Sequence, residues 1–150
     1  MMEYECFPKE KPKKLDPKIS AEYDVKNFIA AVSDDEYGGV NNLITSLEND
    51  KNGDLLAREF LKLKNIRSED PNTRAAVAIG LTAVKITDLR ILERCFERMQ
   101  EMSEDEVQLP AEKANGFLEI YEEKKRNILE QRGVLERLGD IVGITARGRS

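Results

Sequence analysis

Residues 75–84, Ala-Ala-Val-Ala-Ile-Gly-Leu-Thr-Ala-Val, are apolar almost all the way round a helix. A helix at the edge of a fold keeps a polar stripe for water, so this one must be surrounded by neighbours. Its start is marked by Asp70-Pro71. Asp suits the N-cap, and Pro suits the first helical position, where its missing N–H has no partner to lose. The alanines and the glycine would let flanking helices come close. Whatever this chain folds into is therefore built around that segment.

The rest of the chain supplies the flanking helices. Ser20 is read as an N-cap, after which Ala21, Val25, Phe28, Ile29 and Val32 follow the spacing of one helical face. Gly38-Gly39 breaks the chain, and Val40, Leu43, Ile44 and Leu47 mark a second short helix. The polar stretch from Asn49 to Asp54 ends it and opens a third, with Leu56, Phe60 and Leu63 inward. Beyond the central helix, Thr87 and Asp88 cap a fifth, whose inner face is Leu89, Leu92, Phe96 and Met99. The expected core is Val77, Ile79, Leu81, Val84, Leu89, Leu92 and Phe96. Ser103 and Glu106 fit a capping box, in competition with Pro110 as the next start. From Ala111 a long helix runs to Arg132, followed by Val134 to Val142, on a face of Phe117, Ile120, Tyr121, Ile128, Leu135, Leu138 and Val142. The polar interval from Glu122 to Asn127 is read as facing solvent or a partner.

No window alternates with the period of two that a half-buried strand requires. The fold class is all-α, a single-domain bundle of five or six helices. A chain of 150 residues fits one domain and buries roughly 68–70% of its unfolded surface. The division expected is a flexible Lys/Pro-rich arm over 1–19, an all-α domain over 20–143 and a basic tail over 144–150. One internal echo aligns Leu55 to Leu63 with Ile91 to Met99, both reading apolar-Leu-x-Arg-x-Phe-x-basic-apolar. It would make two αα-hairpins repeat-like, although a plain bundle needs no repeat.

The side-chain inventory excludes several chemistries. There is no histidine, and the two cysteines, Cys6 and Cys95, are far apart. Zinc fingers, Ser-His-Asp and Cys-His nucleophile systems and HExxH sites all need imidazole or several thiolates. No phosphate-cradling glycine loop is present, the carboxylates Glu101, Glu104, Asp105 and Glu106 suit a helix end and its loop, and Cys95 suits a core. The expectation is a protein that is not an enzyme. A net charge of −5 gives no global attraction to nucleic acid or anionic lipid. No stretch approaches the ~20 apolar residues of a membrane span. The N-terminal lysines have no apolar run behind them to make a secretory signal, and unpaired cysteines fit a reducing cytoplasm.

The most specific local pattern runs from Glu48 to Phe60. Glu48, Asp50 and Asn52 would be the first three side-chain ligands of a calcium loop and Gly53 its sharp turn. Asp54 would offer a backbone carbonyl, Leu55 the apolar position and Glu59 the closing bidentate carboxylate. In this the segment resembles an EF-hand, which implies Ca²⁺ as a cofactor. It departs from that family in opening with Glu rather than Asp and in having no second loop. The preferred reading of the same residues is a polar connection in which Asp or Asn caps the helix beginning near Asp54.

The stretch Leu135 to Thr145 looks like the first helix and turn of a helix-turn-helix, with Gly143 at the turn. Too little chain follows for a recognition helix, so a Gly-terminated helix with a basic tail is preferred. Phosphate contacts would then fall to Lys9, Lys11, Lys13, Lys14, Arg147 and Arg149. Three functions remain. The first is a non-enzymatic helical interaction module, an adaptor or small subunit of a larger protein assembly, with a protein partner or a second copy of itself. The second is a small helical subunit of a nucleoprotein complex, similar in size and class to the small subunits of CRISPR effector complexes. The third is a calcium-binding module.

Overall fold

The computed structural model describes residues 16–34 and 40–139, with side chains as far as residue 133. The described residues form seven helices and no strand, so the all-α class holds and the count exceeds five or six. They are α1 (Pro17–Ser33), α2 (Val40–Glu48), α3 (Gly53–Phe60), α4 (Leu63–Ile66), α5 (Pro71–Ala83), α6 (Leu89–Met102) and α7 (Gln108–Gly139). The extra helix comes from Lys62, whose extended backbone (ψ 141°) separates α3 from α4. Leu63 was expected to face inward as part of the third helix. It opens α4 instead and is 50% exposed, while Leu61 takes the buried place.

The centre of the bundle is α5. Ala75, Ala76, Val77, Ala78 and Leu81 are fully buried, and α1, α2, α3, α4 and α7 all pack against this helix. Its N-terminus is formed as the sequence dictates, with the Asp70 carboxylate accepting from the Asn72 N–H at 2.9 Å and Pro71 at the first helical position. Gly80 is there for space. A Cβ at this position would lie 2.2 Å from the Phe60 ring. Glycine inside a helix costs about 1 kcal/mol relative to alanine. Here that is offset by a phenylalanine with no solvent exposure, stacked edge-on against Phe28 at 5.8 Å between centroids.

The same Asp-Pro device starts α1. Asp16 is the N-cap and accepts from the Lys18 N–H at 2.8 Å, and Pro17 is the first helical residue. The helix therefore begins before Ser20, which was read as the cap and lies in the first turn. Ala21, Val25 and Phe28 are buried as expected.

On α6 the apolar face is turned from the one expected. Ile91, Leu92, Cys95, Met99 and Met102 are buried, whereas Leu89 and Phe96 are only partly covered. Phe96 packs at a tilt of 33° against Tyr121 of α7, 4.3 Å between centroids. Ser103 closes α6, its hydroxyl donating to the Gln100 carbonyl at 2.7 Å, and does not cap α7. Gly133 does not interrupt α7, which runs as one helix from Gln108 to Gly139. The echoed segments also differ in setting. One crosses the break between α3, packed on α1 and α5, and α4, and the other lies within the longer α6, packed on α7.

Two connections tie the ends of the bundle. Between α6 and α7, Asp105 forms a two-point ion pair with Arg74 at 2.7 and 3.0 Å, and Arg74 also donates to the Ser68 carbonyl at 2.7 Å. The guanidinium beside it, helped by the Val107 N–H, holds the Asp105 carboxyl below its ordinary range. Between α5 and α6, residues 84–88 leave the helix, with extended backbone at Val84 and Asp88, Val84 and Ile86 buried, and Lys85 and Thr87 exposed.

Candidate functional site

The residues proposed for calcium do not converge. Asp50 turns back on its own loop, where its carboxylate accepts from the Asn52 N–H at 2.8 Å. Asn52 stands at the N-cap of α3 without a side-chain capping bond, so the expected cap is replaced by the Asp50 turn. Gly53 is already helical, and what it provides is close approach: a Cβ there would lie 1.9 Å from the Lys85 carbonyl oxygen. The Asp54 carboxylate leaves its own helix and accepts from the Thr87 N–H at 2.8 Å, from the Thr87 hydroxyl and from the Asp88 N–H at 3.3 Å. Glu59 is buried on α3 and paired with Lys62 at 2.9 Å. Glu48 ends α2 and lines a different cleft, with Ile44, Ile79, Thr82, Glu112 and Lys113. Among the described residues no group of three or more His, Cys, Asp or Glu side chains is placed to hold a metal ion.

Those contacts pin the strap of residues 84–88 against the start of α3. Asp88 then caps α6, its carboxylate accepting from the Arg90 N–H at 2.9 Å. Thr87, expected to share that cap, donates to Asp54 instead. On the other side of the strap, Lys124 of α7 donates to the Val84 carbonyl at 2.8 Å. Burial lowers the Lys124 pKa. Cys95 lies beneath this junction with no solvent exposure, and burial pushes its thiol up to about 12. A thiol so placed is a core residue and not a nucleophile at neutral pH.

Between the strap and α7 lies a groove of about 250 Å³, lined by Lys85, Ile86 and Thr87 on one side and Lys124, Asn127, Ile128, Gln131 and Arg132 on the other. The α7 residues recur at i, i+3, i+4, i+7 and i+8, one face over two turns. Ile128 was read from the sequence as part of the inner face and Thr87 as a cap, but none of these residues was read as lining a groove. The signal available was the interval from Glu122 to Asn127, whose Lys124 continues the spacing of the inner face instead of facing away from it.

Lys9, Lys11, Lys13 and Lys14, with Arg147 and Arg149, lie outside the described residues, as do Cys6, Gly38-Gly39 and Gly143. No described helix is long and apolar enough to cross a membrane. No family model, curated protein or solved structure matches the chain.

Proposed function

We propose that the chain is a non-enzymatic helical interaction module, an adaptor or small subunit of a larger protein assembly, which presents α7 to a protein partner. The observation that carries this reading is the division of α7. Ala114, Phe117, Tyr121 and Ile128 anchor its first part in the core. After Ile128 the side chains from Leu129 to Arg132 are exposed, Leu129 by 45%, and the helix continues to Gly139. A single exposed leucine is ordinary. One that opens a run of exposed positions on a helix anchored in the core is a natural edge for another helix to pack on.

The test is purification of the full chain from its native source, with and without Leu129→Asp. The expected result is a protein partner, or a second copy of the chain, recovered in fixed stoichiometry and lost in the variant. Thermal unfolding should change little, since exposed substitutions usually fall within about 0.5 kcal/mol. A complex that survives Leu129→Asp unchanged would remove α7 from the reading.

A nucleoprotein subunit is the second reading, favoured by Lys85, Lys124 and Arg132 lying on one groove. Its phosphate contacts would come from these residues together with Lys9, Lys11, Lys13, Lys14, Arg147 and Arg149. Co-purifying nucleic acid that resists physiological salt would favour it, because nonspecific phosphate contacts weaken steeply with ionic strength.

A further inference from the structure

The groove between residues 84–88 and α7 carries positive charge that the described fold does not neutralise. Lys85 enters from the strap, and Lys124 and Arg132 from α7. Among the described residues none of the three forms an ion pair. Lys124 is the informative one. An exposed lysine needs no partner because water solvates it, but Lys124 is partly buried. Its one hydrogen bond within the fold goes to the Val84 carbonyl. An ammonium has three N–H donors, so two remain for the groove it lines. Holding a desolvated cation without a counter-charge is unfavourable, and an anion in the groove would relieve it.

The surroundings narrow the class of anion. Ile86 and Ile128, each 5% exposed, supply an apolar surface. Asn127 and Gln131 add neutral hydrogen-bonding groups, and among the described residues no carboxylate lines the groove. Glu123 and Glu48 act on Lys124 only at longer range. Asp54, Asp88 and Glu93 border the adjoining cleft, which shares Thr87 and Arg132 with the groove, and the Asp54 carboxylate is taken up by Thr87 and Asp88. The volume of about 250 Å³ falls just below the roughly 300–1,000 Å³ of ordinary small-molecule sites, which limits the ligand to a compact one.

We propose that this groove binds a compact amphipathic anion, a carboxylate or phosphate monoester whose head lies among Lys85, Lys124 and Arg132 and whose apolar body rests on Ile86 and Ile128. Charge selects the head group, and the isoleucines distinguish an amphipathic ligand from a bare ion. The site stands independently of the interaction-module reading.

The experiment is an NMR titration of the ¹⁵N-labelled full chain with phenyl phosphate and with 4-phenylbutyrate, which place the two head groups on similar bodies. Inorganic phosphate and benzylamine serve as controls. Saturable shifts are expected at the Ile86, Thr87 and Ile128 amides with one or both anions, and the stronger of the two identifies the preferred head. Inorganic phosphate should bind about tenfold more weakly or worse, lacking the apolar body, and benzylamine should not bind. Lys124→Met and, at an exposed position that does not bear on folding, Arg132→Gln should each weaken anion binding about tenfold. Leu129→Asp should leave it unchanged, which separates this site from the proposed partner edge. The proposal is overturned by the absence of saturable shifts with both anions, by benzylamine binding as tightly as phenyl phosphate, or by anion binding that survives both Lys124→Met and Arg132→Gln.

Discussion

Two connections in this bundle touch each other and have opposite characters. The one between α2 and α3, residues 49–52 with the flanking Asp54 and Glu59, is rich in groups that could ligate a cation, and the fold engages those groups internally. Asp50 satisfies a backbone N–H of its own loop, Asp54 crosses to Thr87 and Asp88, and Glu59 pairs with Lys62. The one between α5 and α6, residues 84–88, offers little chemistry in sequence, yet it forms one wall of a groove lined with unpaired cations. The difference lies in where the backbone hydrogen bonds go. A connection that leads directly into a helix has exposed N–H groups, and its carboxylates serve them. The 84–88 connection is held by Asp54 and Lys124; its Thr87 and Asp88 are engaged, and Lys85 is left for the groove.

The sharpest way to break this comparison is at Gly53, where the two connections meet backbone to backbone. Gly53→Ala would place a Cβ 1.9 Å from the Lys85 carbonyl oxygen. A backbone atom cannot swing away as the end of a side chain can, so the strap or the start of α3 must shift. A loss of about 3 kcal/mol is expected, the upper end of ordinary overpacking, measured by urea denaturation. A near-neutral result would mean that the strap is not held by α3.

A smaller effect is expected from Asp54→Ala, which removes the acceptor for Thr87 and Asp88 while leaving the core intact. The loss should be about 1–2 kcal/mol, in the range of other lost caps. Cys95, beneath the same junction, reports the opening directly. Its thiol is pushed up to about 12 by burial, so at pH 8 it is protonated and enclosed, and in a Cys6→Ser background alkylation should proceed only through opening. Asp54→Ala should speed that labelling. Unchanged labelling alongside a real loss of stability would show that Asp54 stabilises α3 and not the strap.

How far these features could be read from the sequence follows from their range. The all-α class and the centrality of α5 were legible because periodicity and an apolar circumference are local properties. The caps Asp70 and Asp88 were legible for the same reason. Asp16-Pro17 carries the signal of Asp70-Pro71 but sits at the end of a run of lysines and prolines, and was taken for part of the arm. The face of α6 was misjudged because its apolar stripe is wide, so the position of α7 decides that Ile91 and Met102 go under while Leu89 and Phe96 stay partly covered. The groove was not legible at all. It requires Lys124 to meet Val84, 40 residues away, and helical spacing does not say which strap a helix face will oppose.

Calcium is the condition under which the comparison predicts the least change, and for that reason it tests it cleanly. An EF-hand ion needs six to eight oxygens gathered by a flexible loop. In this fold the helix begins at Gly53, Asp54 is committed to the 84–88 strap, and the Glu59 carboxylate lies against Lys62. Binding would have to unwind the first turn of α3 to free the Asp54 carbonyl and draw the Glu59 carboxylate away from Lys62. Millimolar Ca²⁺ should therefore leave the melting temperature unchanged, since a ligand that binds the native state would raise it. Glu59→Gln should cost less than about 1 kcal/mol, because Lys62, its partner, is solvent-exposed and pairs with one exposed member contribute little. That small cost should be the same with and without Ca²⁺. A rise in melting temperature that Ca²⁺ produces and Glu59→Gln abolishes would reverse the assignment of the two connections. The 49–52 loop would then be the one that keeps its side chains for a ligand, and the hydrogen bonds from Thr87 and Asp88 to Asp54 would belong to the ion-free state.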